Sequence, residues 1–178
     1  VEEQPTGEIS LGAGFGTSGT TIGGGITEKN FLGKGINLNT NLEVSDESIK
    51  GQFIYSKPNF AYTDNTLFTS LRSTSSDFLS TYGYEISDIG FSIGTKFEQY
   101  ENIFFSPEID ISFEELDTNS TASSNLKKQE GNYEDVYFKY SIDQDLRDSS
   151  FDPTRGNYSS FYQELPIISG NNEIINTF

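Results

Sequence analysis

The chain contains no cysteine, histidine, methionine or tryptophan. Without cysteine there is no disulfide framework, and without cysteine or histidine no thiolate or imidazole metal centre. No histidine stands ready to activate a serine nucleophile. The missing methionine leaves no initiator residue, and no signal peptide is visible, so the sequence reads as a mature piece or a fragment. Basic residues are scarce: 11 Lys and Arg against 27 Asp and Glu give a formal net charge of -16. That balance argues against a nucleic-acid partner, because a phosphate backbone needs a Lys/Arg surface. Hydrophobic residues reach only 33% and mean hydropathy is -0.50, and no run approaches the ~20 apolar residues of a membrane helix. This leaves membrane strands open, since a barrel strand needs only ~10 residues with alternate ones apolar.

What the chain does have is alternation. Ile9-Ser10-Leu11-Gly12-Ala13-Gly14-Phe15 sets apolar side chains on odd positions and small or polar ones on even positions. The stretches Ile36–Leu42 and Ile89–Ile93 repeat the pattern. A period of two gives a strand one apolar and one wet face. Strands are expected at 8–16, 20–29, 35–45, 49–57, 65–74, 81–98, 101–115, 133–143 and 156–165, with a tenth beginning near 173. The run Ile103-Phe104-Phe105-Ser106-Pro107 continues in step two to Ile109 and Ile111 and is read as strand, and no segment carries a helical period. Tight turns fall at Thr17-Ser18-Gly19, Asp46-Glu47-Ser48 and Glu98-Gln99-Tyr100-Glu101. Lys57-Pro58-Asn59 ends a strand, since proline cannot donate to a ladder.

Asp117–Asn132 reads as a flexible loop and Asp143–Gly156 as a second long connection. The acidic groups Asp46-Glu47, Glu114-Glu115 with Asp117, and Glu134-Asp135 read as solvated loop faces. Short turns alternating with long loops suit an outer-membrane barrel with tight turns on one side. Two architectures remain open on pattern alone. A soluble two-sheet sandwich would bury Ile9, Leu11 and Phe15 in a core; a closed sheet would turn them to lipid.

The residues offer little chemistry. The glycines Gly12, Gly14, Gly16 and Gly23-Gly24-Gly25 resemble a phosphate-binding loop only superficially, with no helix and no Lys-Ser/Thr following. They read instead as a thin, pliable wall. Glu108 with Asp110, and Asp143 with Asp145, share strand faces but lack a cleft or a matched partner for acid/base work. Asp110, Asp143 and Asp145 have no spacing of a calcium loop and read as carboxylates lining a wet lumen or a loop. No catalytic, cofactor-binding or metal residue is assigned. The densest signal is Asp145–Gly156, where Pro153 sets a bend and Gly156 permits an unusual dihedral.

Four of these segments carry a family resemblance. Thr6–Gly19 resembles the start of the barrel in the BamA family of outer-membrane protein assembly factors. Glu28-Lys29-Asn30-Phe31-Leu32-Gly33-Lys34-Gly35 resembles the family's second turn, an Asn-aromatic-Leu-Gly-x-Gly signature. Lys57-Pro58-Asn59-Phe60 resembles the turn after its fourth strand, with lysine in place of the asparagine before proline. The run with Asp145, Arg147, Asp148, Phe151, Pro153, Thr154, Arg155 and Gly156 resembles the stretch before its ninth strand.

The resemblance implies an all-β, antiparallel up-and-down transmembrane barrel, of which this chain is a fragment of roughly nine to ten strands. Residues 1–7 would link to an upstream periplasmic POTRA domain, and 8–178 would be the N-terminal portion of the barrel. It also implies location in the outer membrane of a Gram-negative bacterium, no enzymatic reaction and no cofactor. Unfolded outer-membrane proteins would be the clients, with accessory lipoproteins reached through the POTRA region and outer-membrane lipid as surroundings. Clients would add a strand to the edge formed by Glu8, Ile9, Ser10, Leu11, Gly12, Ala13, Gly14, Phe15 and Gly16. Arg147 and Arg155 would pair with lumenal acids. The rival within the superfamily is a passive channel or a two-partner-type secretion pore. The terminal Phe178 reads as a truncation rather than a C-terminal signal.

Overall fold

Ten strands follow one another in the chain and in space. In the computed structural model, which describes residues 5–16, 19–149, 151–169 and 175–177, they form one antiparallel sheet in sequence order. The strands are β1 (Gly7–Gly16), β2 (Gly19–Phe31), β3 (Ile36–Ser45), β4 (Ser48–Lys57), β5 (Thr66–Phe78), β6 (Tyr84–Tyr100), β7 (Ile103–Thr118), β8 (Gly131–Asp145), β9 (Tyr158–Ile168) and β10 (Ile175–Thr177). The sheet is open, with β1 and β10 at its two ends. The all-β meander expected from alternation is therefore present. The expected turn at residues 17–18, the leading residues 1–4, the start of the tenth strand near 173 and Phe178 lie outside the described residues.

The register sorts side chains onto two surfaces. The pairs Ile9↔Ile26, Ile22↔Val44, Val44↔Ile49, Phe53↔Leu71, Leu71↔Phe91, Phe91↔Ile111 and Ile111↔Val136 lie on one face. That face is exposed: Ile9, Leu11 and Phe15 are 73%, 86% and 88% accessible. Among the described residues the only buried apolar side chains are Ile36, Leu116 and Ala122. A sandwich would bury Ile9, Leu11 and Phe15, so that architecture is ruled out. An extensive apolar face with no protein against it requires an apolar solvent, which the bilayer supplies. We call this face outward and the polar one inward.

Several boundaries differ from expectation. Strand β5 continues to Phe78 and β7 to Thr118, so Glu114, Glu115 and Asp117 are strand residues rather than loop, as are Glu134 and Asp135 of β8. Here strands run past the outward apolar band: the outward positions Asp77, Glu85, Glu115 and Asp117 are charged, while Phe78, Ile86 and the buried Leu116 face inward, and the ladder persists. The segment read as a flexible loop contains a short helix α1 (Ser124–Lys128), capped where the Ser123 hydroxyl accepts the Leu126 N–H at 3.3 Å. The turn expected at 98–101 narrows to Glu101-Asn102, because β6 reaches Tyr100. A tight turn forms at Phe60–Tyr62, with Ala61 and Tyr62 in the left-handed region.

Connections do not sort by length. At the end where β1 begins, here the proximal end, the links are 32–35, 58–65, 101–102 and 146–157. The distal end carries 46–47, 79–83 and 119–130. Two-residue turns occur at both ends, as do long links, so the expected segregation is absent. Pro107 lies within β7 as expected: the β6–β7 ladder has no bridge at Thr95 and Lys96, while Pro107 pairs with Tyr140 on the β8 side.

Ile93 sits mid-strand on the outward face, paired with Ile109. Ile93→Arg should destabilise the membrane-inserted protein by about 2–4 kcal/mol, whereas the inward Thr74→Arg, opposite Asp88, should cost much less. Urea titration in vesicles checks this, and equal losses would contradict the assignment of faces.

Candidate functional site

Strand β1 is joined to the sheet through β2 alone among the described residues. Glu8, Ser10, Gly12 and Gly14 point inward, and Ile9, Leu11, Ala13 and Phe15 outward. Opposite its centre stand three glycines, in the pairs Ser10↔Gly25, Leu11↔Gly24 and Gly12↔Gly23. Cross-strand side-chain pairs are what strengthens a ladder, and these pairs have one or no side chain. Neighbours lean into the space instead. A Cβ on Gly25 would come within 2.6 Å of Asn41 Oδ1 and 3.0 Å of Ser10 Oγ; one on Gly24 would meet Leu11 Cδ2 at 3.0 Å. The Ser10 hydroxyl reaches the Gly25 carbonyl at 3.4 Å. A groove of about 780 Å³ borders this thin region, reached by Gly12, Gly14, Gly23, Asn41, Gln52 and Arg72.

Further round the inward face, charges form a row across five strands. Arg72 (β5) donates Nη1–H and Nη2–H to the two Asp110 oxygens (β7) at 2.6 and 2.9 Å, and its Nε lies 3.4 Å from Asp88 (β6). Lys139 (β8) stands 3.4 Å from both Asp110 and Glu164 (β9). The Tyr162 hydroxyl donates to Glu164 at 2.8 Å. Asp110 is only 2% exposed, so its charge depends on these partners. Gly90 lies opposite Arg72, and any Cβ there would overlap the guanidinium. Its bare backbone lets Arg72 cross β6 to reach β7. Asp143 accepts from Ser141, Ser160 and Tyr158 at 3.0, 2.6 and 2.8 Å. The carboxylates Asp110, Asp143 and Asp145, read from sequence as lining a lumen or a loop, lie on the inward face of strands and are partnered, and among the described residues no group of three or more acidic side chains has the arrangement of a metal site.

The motif residues at the proximal end are built for turn geometry. Asn30 accepts the Gly35 N–H on Oδ1 at 2.7 Å and the Gly33 N–H on its carbonyl at 2.9 Å. Leu32, Gly33 and Gly35 all have left-handed φ, at 56°, 69° and 64°. Added Cβ atoms on Gly33 and Gly35 would meet nothing within 4 Å, so these glycines serve the dihedral, not the space. Phe31 and Leu32 remain exposed.

In the link 146–157, Asp148 accepts from Thr154 N and Oγ1 at 2.9 and 2.5 Å and from Arg155 N at 3.2 Å. Its own N–H donates to the Arg155 carbonyl at 3.1 Å. Gly156 has φ 89°, and a Cβ there would overlap the Leu146 carbonyl. Arg147 donates to both Asp145 oxygens at 2.8 Å and stacks 5.0 Å over Tyr158. Arg155 contributes backbone, and among the described residues no carboxylate pairs with its guanidinium. Pro153 and the almost fully exposed Phe151 complete the turn.

The model of the Omp85 superfamily domain matches residues 30–177, most of this wall and the turns just described. The chain belongs to the Omp85 superfamily. Among solved structures it is similar to BamA from Haemophilus ducreyi lacking POTRA domains 1–3, with TM-score 0.72 and 22% identity. The match covers 96% of this chain and 36% of that one, so the Omp85 chain described here spans about a third of the length of that shortened chain. The likeness places the ten-stranded sheet in the fold of an outer-membrane barrel wall. Among curated proteins nothing matches.

The sequence-based site residues of this Omp85 chain fall in two places. Glu8–Gly16 form the sheet's first edge; the motif residues Asn30–Gly35 and Asp145–Gly156 are turns at the proximal end and do not meet that edge. Arg72, Asp88, Lys139 and Glu164 were not singled out from sequence. Their only signal is parity within separate strands, which acquires meaning once register is known.

Gly156→Ala should cost about 1–3 kcal/mol from its dihedral alone, and more from the overlap with Leu146. Gly12→Ala, which meets nothing within 4 Å, should stay within about 0.5 kcal/mol of the parent by urea titration.

The hydrogen bond from the Thr154 hydroxyl, with the Thr154 and Arg155 amides, holds the Asp148 carboxyl below its ordinary value of 3.8. A lowered folded-state value means the turn gains stability above the ordinary value and loses it as pH falls through the folded one. The Thr154 amide resonance should titrate below pH 3.8 and not at all in Asp148→Asn; titration at or above 3.8 would contradict this.

Proposed function

We propose that this chain forms the first strands of an outer-membrane insertase barrel in a Gram-negative bacterium, and that Glu8–Gly16 is the edge on which a client strand is templated. The observation that carries the reading is the glycine-faced pairing of β1 with β2, which leaves the centre of that ladder with few side-chain contacts. A client strand added there would bring its own backbone N–H and C=O groups to β1, a β-augmentation that makes and breaks no covalent bond. The clients are unfolded outer-membrane proteins. Residues 1–7 would lead from a periplasmic POTRA domain, through which accessory lipoproteins act.

The outward apolar row is also short on this side. From Ile9 to Phe15 it runs about 20 Å along the strand, against about 33 Å from Ile103 to Phe113 on β7, at ~3.3 Å per residue. With strands tilted ~40°, the apolar height falls from about 25 to about 15 Å, which would thin the bilayer locally beside the edge.

A passive channel or two-partner-type secretion pore remains the second reading, favoured by the ordered charge row on the inward face. Site-directed crosslinking in cells separates them. A photo-reactive residue replaces Ser10 in the full-length parent protein while a labelled outer-membrane protein is being made. Crosslinks to the client's last strand are expected. Crosslinks only to the parent's own final strand, at every client load, would overturn the insertase in favour of the closed channel.

A further inference from the structure

Lys57 is the last residue of β4 and continues the outward row Ile49, Gly51, Phe53, Tyr55. It pairs across the ladder with Leu67, itself outward. A lysine on a lipid-facing wall has no place for its charge except at the edge of the hydrocarbon, where the stem can lie along apolar surface and the ammonium reach polar groups. Pro58 stops the ladder at that point. Beyond it Asn59, Ala61 and Tyr62 all take left-handed φ, at 51°, 55° and 63°. This fold is locked where Phe60 N–H meets the Asn65 carbonyl at 2.8 Å and the Thr63 hydroxyl meets the Phe60 carbonyl at 2.6 Å. The result carries the Phe60 ring back to Lys57, whose Nζ stands 5.9 Å from its centroid, and leaves Tyr62 fully exposed.

Among the described residues no carboxylate lies within ion-pair distance of Lys57. The opposite rim of the outward face is of the other sign: Asp77, Glu85 and Asp117 stand side by side across β5, β6 and β7. The distal boundary of this wall is therefore acidic, whereas the proximal one carries Lys57 with its aromatic neighbours and, two strands away, Glu28.

We propose that Lys57, backed by Phe60 and Tyr62, is a docking site for the phosphate of an anionic phospholipid in the leaflet at the proximal end. The site rests on the outer-membrane reading above. The ammonium supplies a point charge for the phosphate, the ring holds the lysine stem at the interface, and the tyrosine occupies the headgroup level as interfacial aromatics do.

The test uses the full-length parent protein inserted in vesicles of phosphatidylethanolamine and phosphatidylglycerol, released and examined by native mass spectrometry for retained lipid. The parent should retain phosphatidylglycerol in preference to phosphatidylethanolamine. Lys57→Gln should lower that preference about fivefold, the factor matching ~1 kcal/mol per cation at a membrane surface, and Lys57→Arg should keep it. Insertion is read separately by heat-modifiable gel migration. An inserted Lys57→Gln protein with undiminished preference overturns the lipid site and leaves the barrel reading intact. Failure of the unaltered parent to insert overturns both.

Discussion

A wall one residue thick has no interior. Each strand of this sheet must satisfy its backbone through its neighbours and must present one row of side chains to lipid and the other to water. The rest of the structure follows from that constraint. The exposed outward apolar rows, the near absence of buried apolar side chains, and the concentration of polar contacts on one face all express it. Stability comes from pairing along the ladder, from transfer of the outward rows into hydrocarbon, and from inward networks that compensate buried charge.

The inward network shows how closely side-chain geometry is tied to glycine placement. Arg72 reaches Asp110 two strands away only because Gly90 leaves the intervening strand bare. Asp110 in turn holds Lys139, which holds Glu164, so one guanidinium orders a row from β5 to β9. On the β1 side the glycines do the opposite. Gly23, Gly24 and Gly25 face the edge strand without an equivalent charge network, and β1 is held mainly by backbone bonds. One wall thus has a cross-braced half and a thin half, made with the same residue type in different registers.

The two ends differ as well. Proximal links are stiffened by side-chain caps from Asn30 and Asp148 and by left-handed residues that only local hydrogen bonding sustains. At the distal end β5 to β8 extend beyond the apolar band, with Asp77, Glu85, Glu115, Asp117 and Glu134 on their outward face. Such a division suits a wall whose one end stays close to the membrane while the other stands in water.

By itself the sequence determined nearly every strand, because a two-residue period is local and each face has one solvent. Segments such as Ile9–Phe15 and Ile89–Ile93 read correctly without any knowledge of their neighbours. It also marked the turn residues, since a left-handed φ at Gly33, Gly35 or Gly156 is a property of a few adjacent residues. It did not mark the last residues of β5 and β7, 75–78 and 116–118, where the outward positions turn polar and the ladder keeps the strand. Nor could it mark helix α1, which is too short to show a period. Only tertiary structure decided whether the apolar rows meet a protein core or lipid, and which charges meet. Arg72, Asp110 and Lys139 are far apart in the chain, and a shift of one residue in register would turn any of them to the other face.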